Sequence, residues 1–86
     1  MTRDEAAETL YSHIMDAGFN APYGVLINQG KSHSGKPCVK ISFGRARTLD
    51  ATLSVFSPRF IHLKTSQRQN EIFKTLEDTI DALKRL

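Results

Sequence analysis

The apolar and polar positions divide the chain into two helical ends and a middle of short alternating segments. Thr2 followed by Glu5 has the spacing of a capping box, so a helix should begin there. Gly18 supplies a residue type that commonly ends helices. Between these signals, apolar residues recur every three or four positions, as on one face of a helix: Ala6, Ala7, Leu10, Tyr11, Ile14 and Ala17.

A second helical stripe occupies the last part of the sequence. Its members are Ile72, Phe73, Leu76, Ile80, Leu83 and Leu86. Ser66 and Gln69 again have capping-box spacing. This pattern predicts a helix that begins at Ser66 and continues to the C-terminus.

Alternation with a period of two dominates the middle of the chain and predicts four strands, at 23–28, 38–43, 49–55 and 59–65. Residues 29–37 are rich in Gly, Ser and Lys, which is typical of an exposed loop. Ser57-Pro58 predicts a tight reversal between the last two strands.

These elements predict an α+β fold: an N-terminal helix, a four-stranded antiparallel meander sheet, and a C-terminal helix, with both helices on one sheet face. The 86 residues suffice for one domain, 1–86, with one modest core. An apolar content of 40% with 24% charged residues is ordinary for a globular protein and too apolar for a disordered one.

The two-residue period also predicts which residues occupy the sheet face away from the helices. That open face should carry Leu26, Asn28, Cys38, Lys40, Ser42, Thr52, Ser54, Phe56, Phe60, His62 and Lys64. Rings and cations therefore share one surface. Phe56 and Phe60 flank a short turn, where they either pack on each other or offer their rings to a ligand.

Positive charge is concentrated in the predicted sheet. Residues 31–70 contain eight basic and one acidic residue, a net charge of +7, although the whole chain carries only +3. The two predicted helices belong to acidic segments. This asymmetry indicates an anionic partner, because charge distribution bears on association and not on fold.

Candidate catalytic and metal-binding chemistry finds little support in the sequence. Residues 30–36 approximate the spacing of a phosphate-binding P-loop, but Pro37 replaces the magnesium-binding Ser or Thr and a strand follows. The three histidines lie on different predicted elements, and the single cysteine, Cys38, excludes an intrachain disulfide. We therefore expect no enzyme activity, metal or other cofactor.

The expected localisation is cytoplasmic. One cysteine fits a reducing compartment, and the acidic N-terminus lacks an apolar signal segment. No run of apolar residues is long enough to span a membrane, so we expect no membrane role.

Two functions remain as hypotheses. The first is a small protein-binding adaptor or inhibitor, of a size also found in phages and mobile elements, with a protein partner or a second copy of itself as ligand. The alternative is a module that binds single-stranded DNA or RNA. Both use the same candidate residues: Lys31, Lys36, Lys40, Arg45, Arg47, Phe56, Arg59, Phe60, His62 and Lys64.

Overall fold

A computed structural model of the chain describes residues 1–19, 24–46 and 48–86. The predicted Tyr23 strand start and the candidate residue Arg47 lie outside these ranges. The described elements are α1 (Arg3–Asp16), β1 (Leu26–Lys31), β2 (Pro37–Arg45), β3 (Leu49–Ser57), β4 (Phe60–Thr65), β5 (Asn70–Phe73) and α2 (Leu76–Lys84). The class is α+β, as predicted.

Helix α1 begins where the sequence predicts. The Thr2 hydroxyl accepts a hydrogen bond from the Glu5 N–H, and the Glu5 carboxylate accepts one from the Thr2 N–H. The Thr2 N–H, and after it the Thr2 hydroxyl, stabilise the ionised carboxylate and hold the pKa of Glu5 below its ordinary value. Gly18, in the left-handed region at φ +78°, follows the helix end as expected.

Within the described residues the sheet has five strands, not four, in the meander order β1-β2-β3-β4-β5, and each pair of neighbours is antiparallel. Both helices pack on one face, where Leu10 and Ile14 of α1 and Leu83 of α2 join the strand residues in one buried cluster. Strand β1 begins at Leu26 and extends to Lys31, so its second half lies in the segment predicted as a loop.

The predicted start of the second helix is wrong. Ser66 does not cap a helix, because its hydroxyl accepts a hydrogen bond from the Asp50 N–H. Residues 66–69 form the turn between β4 and β5, and Thr75 caps α2 by accepting from the Asp78 N–H. The fifth strand is therefore formed by residues that the sequence pattern assigned to the second helix, among them Ile72 and Phe73.

The turn after β4 depends on a left-handed residue. Arg68 has φ +66°, the single positive φ among the described residues that are not glycine. Its N–H bonds to the Thr65 carbonyl, and the Thr65 N–H bonds to the Gln69 carbonyl, which closes the hairpin. This turn brings β5, and with it Ile72, to the edge of the sheet.

We expect Arg68→Gly to be neutral or to stabilise the fold by up to about 1 kcal/mol, because glycine relieves the left-handed strain. A helix starting at Ser66 would instead lose stability with glycine in its first turn. Urea unfolding measures the difference. The comparison variant Gln67→Gly should destabilise, since Gln67 has a negative φ and donates to the Thr48 carbonyl; equal losses in both variants would contradict this turn.

Gly44 allows β2 and β3 to approach each other near their connection. A Cβ at Gly44 would lie 2.1 Å from the Leu49 carbonyl oxygen, a backbone atom that cannot move independently of its strand. Gly44→Ala should therefore destabilise the protein by about 2 kcal/mol or more.

Gly30→Ala is the matched control for Gly44→Ala in the same urea experiment. A Cβ at Gly30 would meet the flexible side chain of Lys40, with the nearest atom at 3.1 Å. That side chain can shift, so the cost should stay below about 1 kcal/mol. The packing account of Gly44 fails if the two alanine variants unfold at the same urea concentration.

Candidate binding site

The register of the sheet arranges the open face in rows that run across all five strands. One row contains Asn28, Lys40, Ser54, His62 and Ile72, and the next contains Leu26, Ser42, Thr52, Lys64 and Asn70. The sequence therefore predicted the face of the two lysines and the histidine correctly. Their roles in binding stay predictions.

An aromatic pair stands at the end of this face. The ring centroids of Phe56 and Phe60 lie 5.4 Å apart with an interplanar angle of 84°, an edge-to-face contact. A register shift between Val55 and Ser57 interrupts the regular pairing of β3 with β4 at this point. Packing of the rings across the turn, one of the two expected outcomes, is thus what the structure contains. Phe60 nevertheless keeps 45% of its surface exposed.

A groove of about 480 Å³ runs beside the aromatic pair. Its lining combines ring and aliphatic side chains with residues of the β1–β2 loop: Phe56, Phe60, His62, Ile72, Ser32, Ser34 and Lys36. Ile72 is 56% exposed although it is a large aliphatic residue on an edge strand. The groove thus offers an accessible apolar surface beside a hydroxyl-bearing wall.

Hydrogen bonds within the β1–β2 loop fix that wall. The Ser32 N–H donates to the Lys36 carbonyl, and the Gly35 N–H donates to the Ser32 carbonyl. The Ser32 hydroxyl also accepts from the Lys36 N–H and bonds to the Ser34 hydroxyl at 2.9 Å. Gly35, at φ +82°, supplies the left-handed residue that this closure requires.

The groove continues toward the middle of the sheet as a second hollow of about 470 Å³. This part is more polar than the first, and its lining adds Lys40, Lys64, Thr52, Ser54 and His33 to the residues that the two hollows share. We call the two hollows together the open-face groove. It presents an apolar end at the aromatic pair and a cationic end at the two lysines.

The lysines of the open-face groove have no anionic neighbour at ion-pair distance within the part of the chain that the structure describes. Lys40 packs its alkyl stem over the backbone of Gly30, so its ammonium group extends from a supported position. His62 and Asn70 hydrogen-bond to each other on the same face. Asp50 lies on the same face and lines a hollow together with Lys64, but it forms no ion pair with either lysine.

Three other candidate cations do not join the open-face groove. Arg45 lies on the helix side, where its guanidinium carbon is 4.4 Å from the centroid of the Phe19 ring and its Nη2 donates to the Leu86 carbonyl. Arg59 is exposed in the β3–β4 turn, and Lys31 falls on the helix side at the end of β1. The remaining candidate, Arg47, lies outside the described residues.

Ile72, Ser32 and Ser34 are groove residues that the sequence did not indicate. Ile72 fitted the predicted helical stripe. The sequence signal that would have excluded it from the helix is Thr75 followed by the acidic residues Glu77 and Asp78, which is a typical helix start. No local signal marks the two serines as a wall of the groove. Their position depends on how the β1–β2 hairpin lies over the sheet.

A third hollow, of about 600 Å³, opens at the other end of the face, between Leu26 and Ser66. Its walls include Asp50, Thr52 and Lys64. Leu26 is the one large hydrophobic residue in its lining that is substantially exposed. This hollow lacks the aromatic cluster that distinguishes the open-face groove.

Two specific chemistries, a metal site and a nucleophilic thiol, find no support in the described ranges. No three His, Cys, Asp or Glu side chains come together there as a metal site requires. Cys38 is fully buried, so its thiol is inaccessible to a substrate. No described helix has the length and apolar character needed to cross a membrane.

Comparison of the chain with protein-family models, with curated proteins and with solved structures finds no match.

Proposed function

We propose that the chain is a non-catalytic binding protein, an adaptor or inhibitor, whose open-face groove takes an acidic segment of a protein partner. The observation that carries this proposal is the arrangement of the groove. Exposed Phe60 and Ile72 adjoin Lys36, while Lys40 and Lys64 lie without anionic partners at the other end.

The apolar end of the groove resembles the centre of a protein-binding surface in its composition. Such centres are enriched in aromatic side chains and surrounded by polar groups, which describes Phe56, Phe60 and Ile72 beside the serines of the loop. A few buried aromatic anchors commonly dominate binding energy. An aliphatic or aromatic side chain of the partner would fill this end.

The lysines at the cationic end favour binding of an acidic segment over binding of a neutral one. Lys40 and Lys64 occupy adjacent rows of the face, on strands that flank β3. A carboxylate entering this end of the groove gains attraction from both ammonium groups without displacing an existing ion pair. Apolar anchoring and charge would therefore act on one extended ligand.

A non-catalytic role is supported by the chemistry of the face. Its polar groups include Ser, Thr and Asn side chains, two lysines, a histidine bonded to Asn70 and the exposed carboxylate of Asp50. The thiol of Cys38 lies buried beneath the surface. These groups suit hydrogen bonding and charge pairing.

The alternative is binding of single-stranded nucleic acid, which the combination of Phe60 with lysines on the same face favours. The open-face groove contains only three lysines, Lys36, Lys40 and Lys64. Neutralising three phosphates of a single strand gives a log-log salt slope of about −2, a shallow value for this class of ligand. The exposed aliphatic side chain of Ile72 also contributes nothing to binding a phosphate backbone. We therefore place the protein partner first.

The proposal predicts what a displayed library of random peptides would yield against the intact chain. Selected peptides should combine Asp or Glu with an aromatic or aliphatic residue. Phe60→Ala should weaken a selected peptide by about tenfold or more, because the anchor at the apolar end is lost. Fluorescence anisotropy with the labelled peptide measures the dissociation constants.

Met15→Ala is the matched control, since Met15 is a large exposed apolar residue on α1, away from the open face. It should leave peptide affinity unchanged. Lys64→Gln should weaken the peptide at low salt and have less effect at high salt. Tight binding of oligothymidylate that depends on the lysines would instead favour the alternative, and a library without any enrichment would contradict binding of a protein segment.

A further inference from the structure

Strand β1 is an edge strand whose outer side has no hydrogen-bonding partner among the described residues. The bond from the Ser32 N–H to the Lys36 carbonyl identifies the direction of each peptide group, because the pattern alternates along an antiparallel pair. Leu26, Asn28 and Gly30 point their backbone groups at β2. Ile27 and Gln29, with Lys31 at the strand end, point theirs outward.

This edge lacks most of the features that usually prevent strand pairing. Natural edge strands carry charges, prolines or bulges, whereas β1 contains no proline and its one charged residue, Lys31, stands at the end of the strand. The pairing of β1 with β2 is regular throughout, without a bulge. Leu26 is 45% exposed and Ile27 is 38% exposed. The edge is therefore suited to receive another strand.

We propose that two copies of this chain dimerise by antiparallel pairing of their β1 strands about a two-fold axis at Gln29. This register pairs Gln29 with the same residue of the second copy, and Ile27 with Lys31 of the second copy. Each outward residue then exchanges backbone hydrogen bonds with its opposite residue, about six bonds in all. The two sheets join into one, with both helix layers on the same side.

Charge complementarity selects a second copy as the occupant. Ile27, Gln29 and Lys31 lie on the helix side of the sheet, and the cleft between α1 and β1 is lined there by Asp4 and Glu8. Asp4 is paired with Arg3, which also donates to the Gln29 side chain, so Glu8 is the carboxylate left for a second copy. The register brings Lys31 of one copy beside Ile27 of the other, at this acidic cleft. Glu8 forms no ion pair within the described part of its own chain. By symmetry the contact occurs twice.

A pairing of β1 with β5 of another copy is the competing arrangement. Strand β5 has only four residues, and such a head-to-tail contact would leave one free edge on each copy of a pair, so it would form a ring or a filament and not a closed dimer. It would also place no lysine opposite the acidic cleft in the same symmetric manner. The dimer uses the outer edge of β1 and not the open-face groove. A chain that does not dimerise could therefore still bind an acidic peptide in the groove.

Sedimentation equilibrium of the intact chain over a concentration series tests the dimer. The mass should rise from that of the 9.7 kDa chain to twice that value. Gln29→Pro removes the outward N–H at the axis without removing a bond to β2, so it should abolish dimerisation. Gln29→Ala loses the same side chain, including its bond to Arg3, but keeps the N–H and should still dimerise.

A charge exchange tests the register without altering the backbone. Lys31→Glu and Glu8→Lys should each weaken dimerisation by about tenfold, because two contacts are lost and like charges face each other. The double variant should restore it. If circular dichroism shows that Gln29→Pro is unfolded, these charge variants test the dimer in its place.

Hydrogen exchange locates the interface in the unaltered chain. The amides of Ile27, Gln29 and Lys31 should become protected as the concentration rises, while exchange at Asn28 and Gly30 changes little. A strict monomer at all concentrations, an oligomer that Gln29→Pro leaves intact in a folded protein, a charge exchange without rescue, or open-ended polymers would each overturn the proposal.

Discussion

Burial of one sheet face beneath two helices is the constraint on which the rest of this structure depends. Leu10 and Ile14 of α1 are completely buried, and so are Ile41, Leu53 and Ile61 of the strands beneath the helix layer. Because strand side chains alternate, a one-residue slip in any strand would expose its buried members. The core therefore determines which side chains lie on the open face, although no residue of the open-face groove belongs to it.

The parts of the fold that the sequence predicts are those with strong local signals. The Thr2–Glu5 capping box marks the start of α1, and the long alternation of residues 38–43 and 49–55 identifies two central strands. The same alternation assigns Lys40, His62 and Lys64 to one face. Each of these inferences needs only neighbouring residues and the geometry of a helix or strand.

The parts that the sequence does not predict depend on contacts between distant residues. Strand β5 is too short for alternation to identify it, and Ile72 and Phe73 fit a helical stripe equally well. Its pairing with β4 is what makes these residues a strand and not the start of a helix. The position of Arg45 likewise depends on Phe19, which is remote in sequence, and so a residue chosen for its charge packs against the core instead. Similarly, the serines of the groove become neighbours of Phe60 only when the β1–β2 hairpin is in place.

The packing of Lys40 over Gly30 has a consequence for entropy. A lysine on an open surface samples many rotamers, and fixing it on a ligand costs up to about 2 kcal/mol. Here the Cγ, Cδ and Cε atoms lie within 3.3 Å of the point where a Cβ of Gly30 would stand. Because the stem lies against the backbone, part of that freedom is lost when the protein folds. A ligand that meets the Lys40 ammonium group then loses less conformational entropy, and Gly30 contributes to affinity without contacting the ligand.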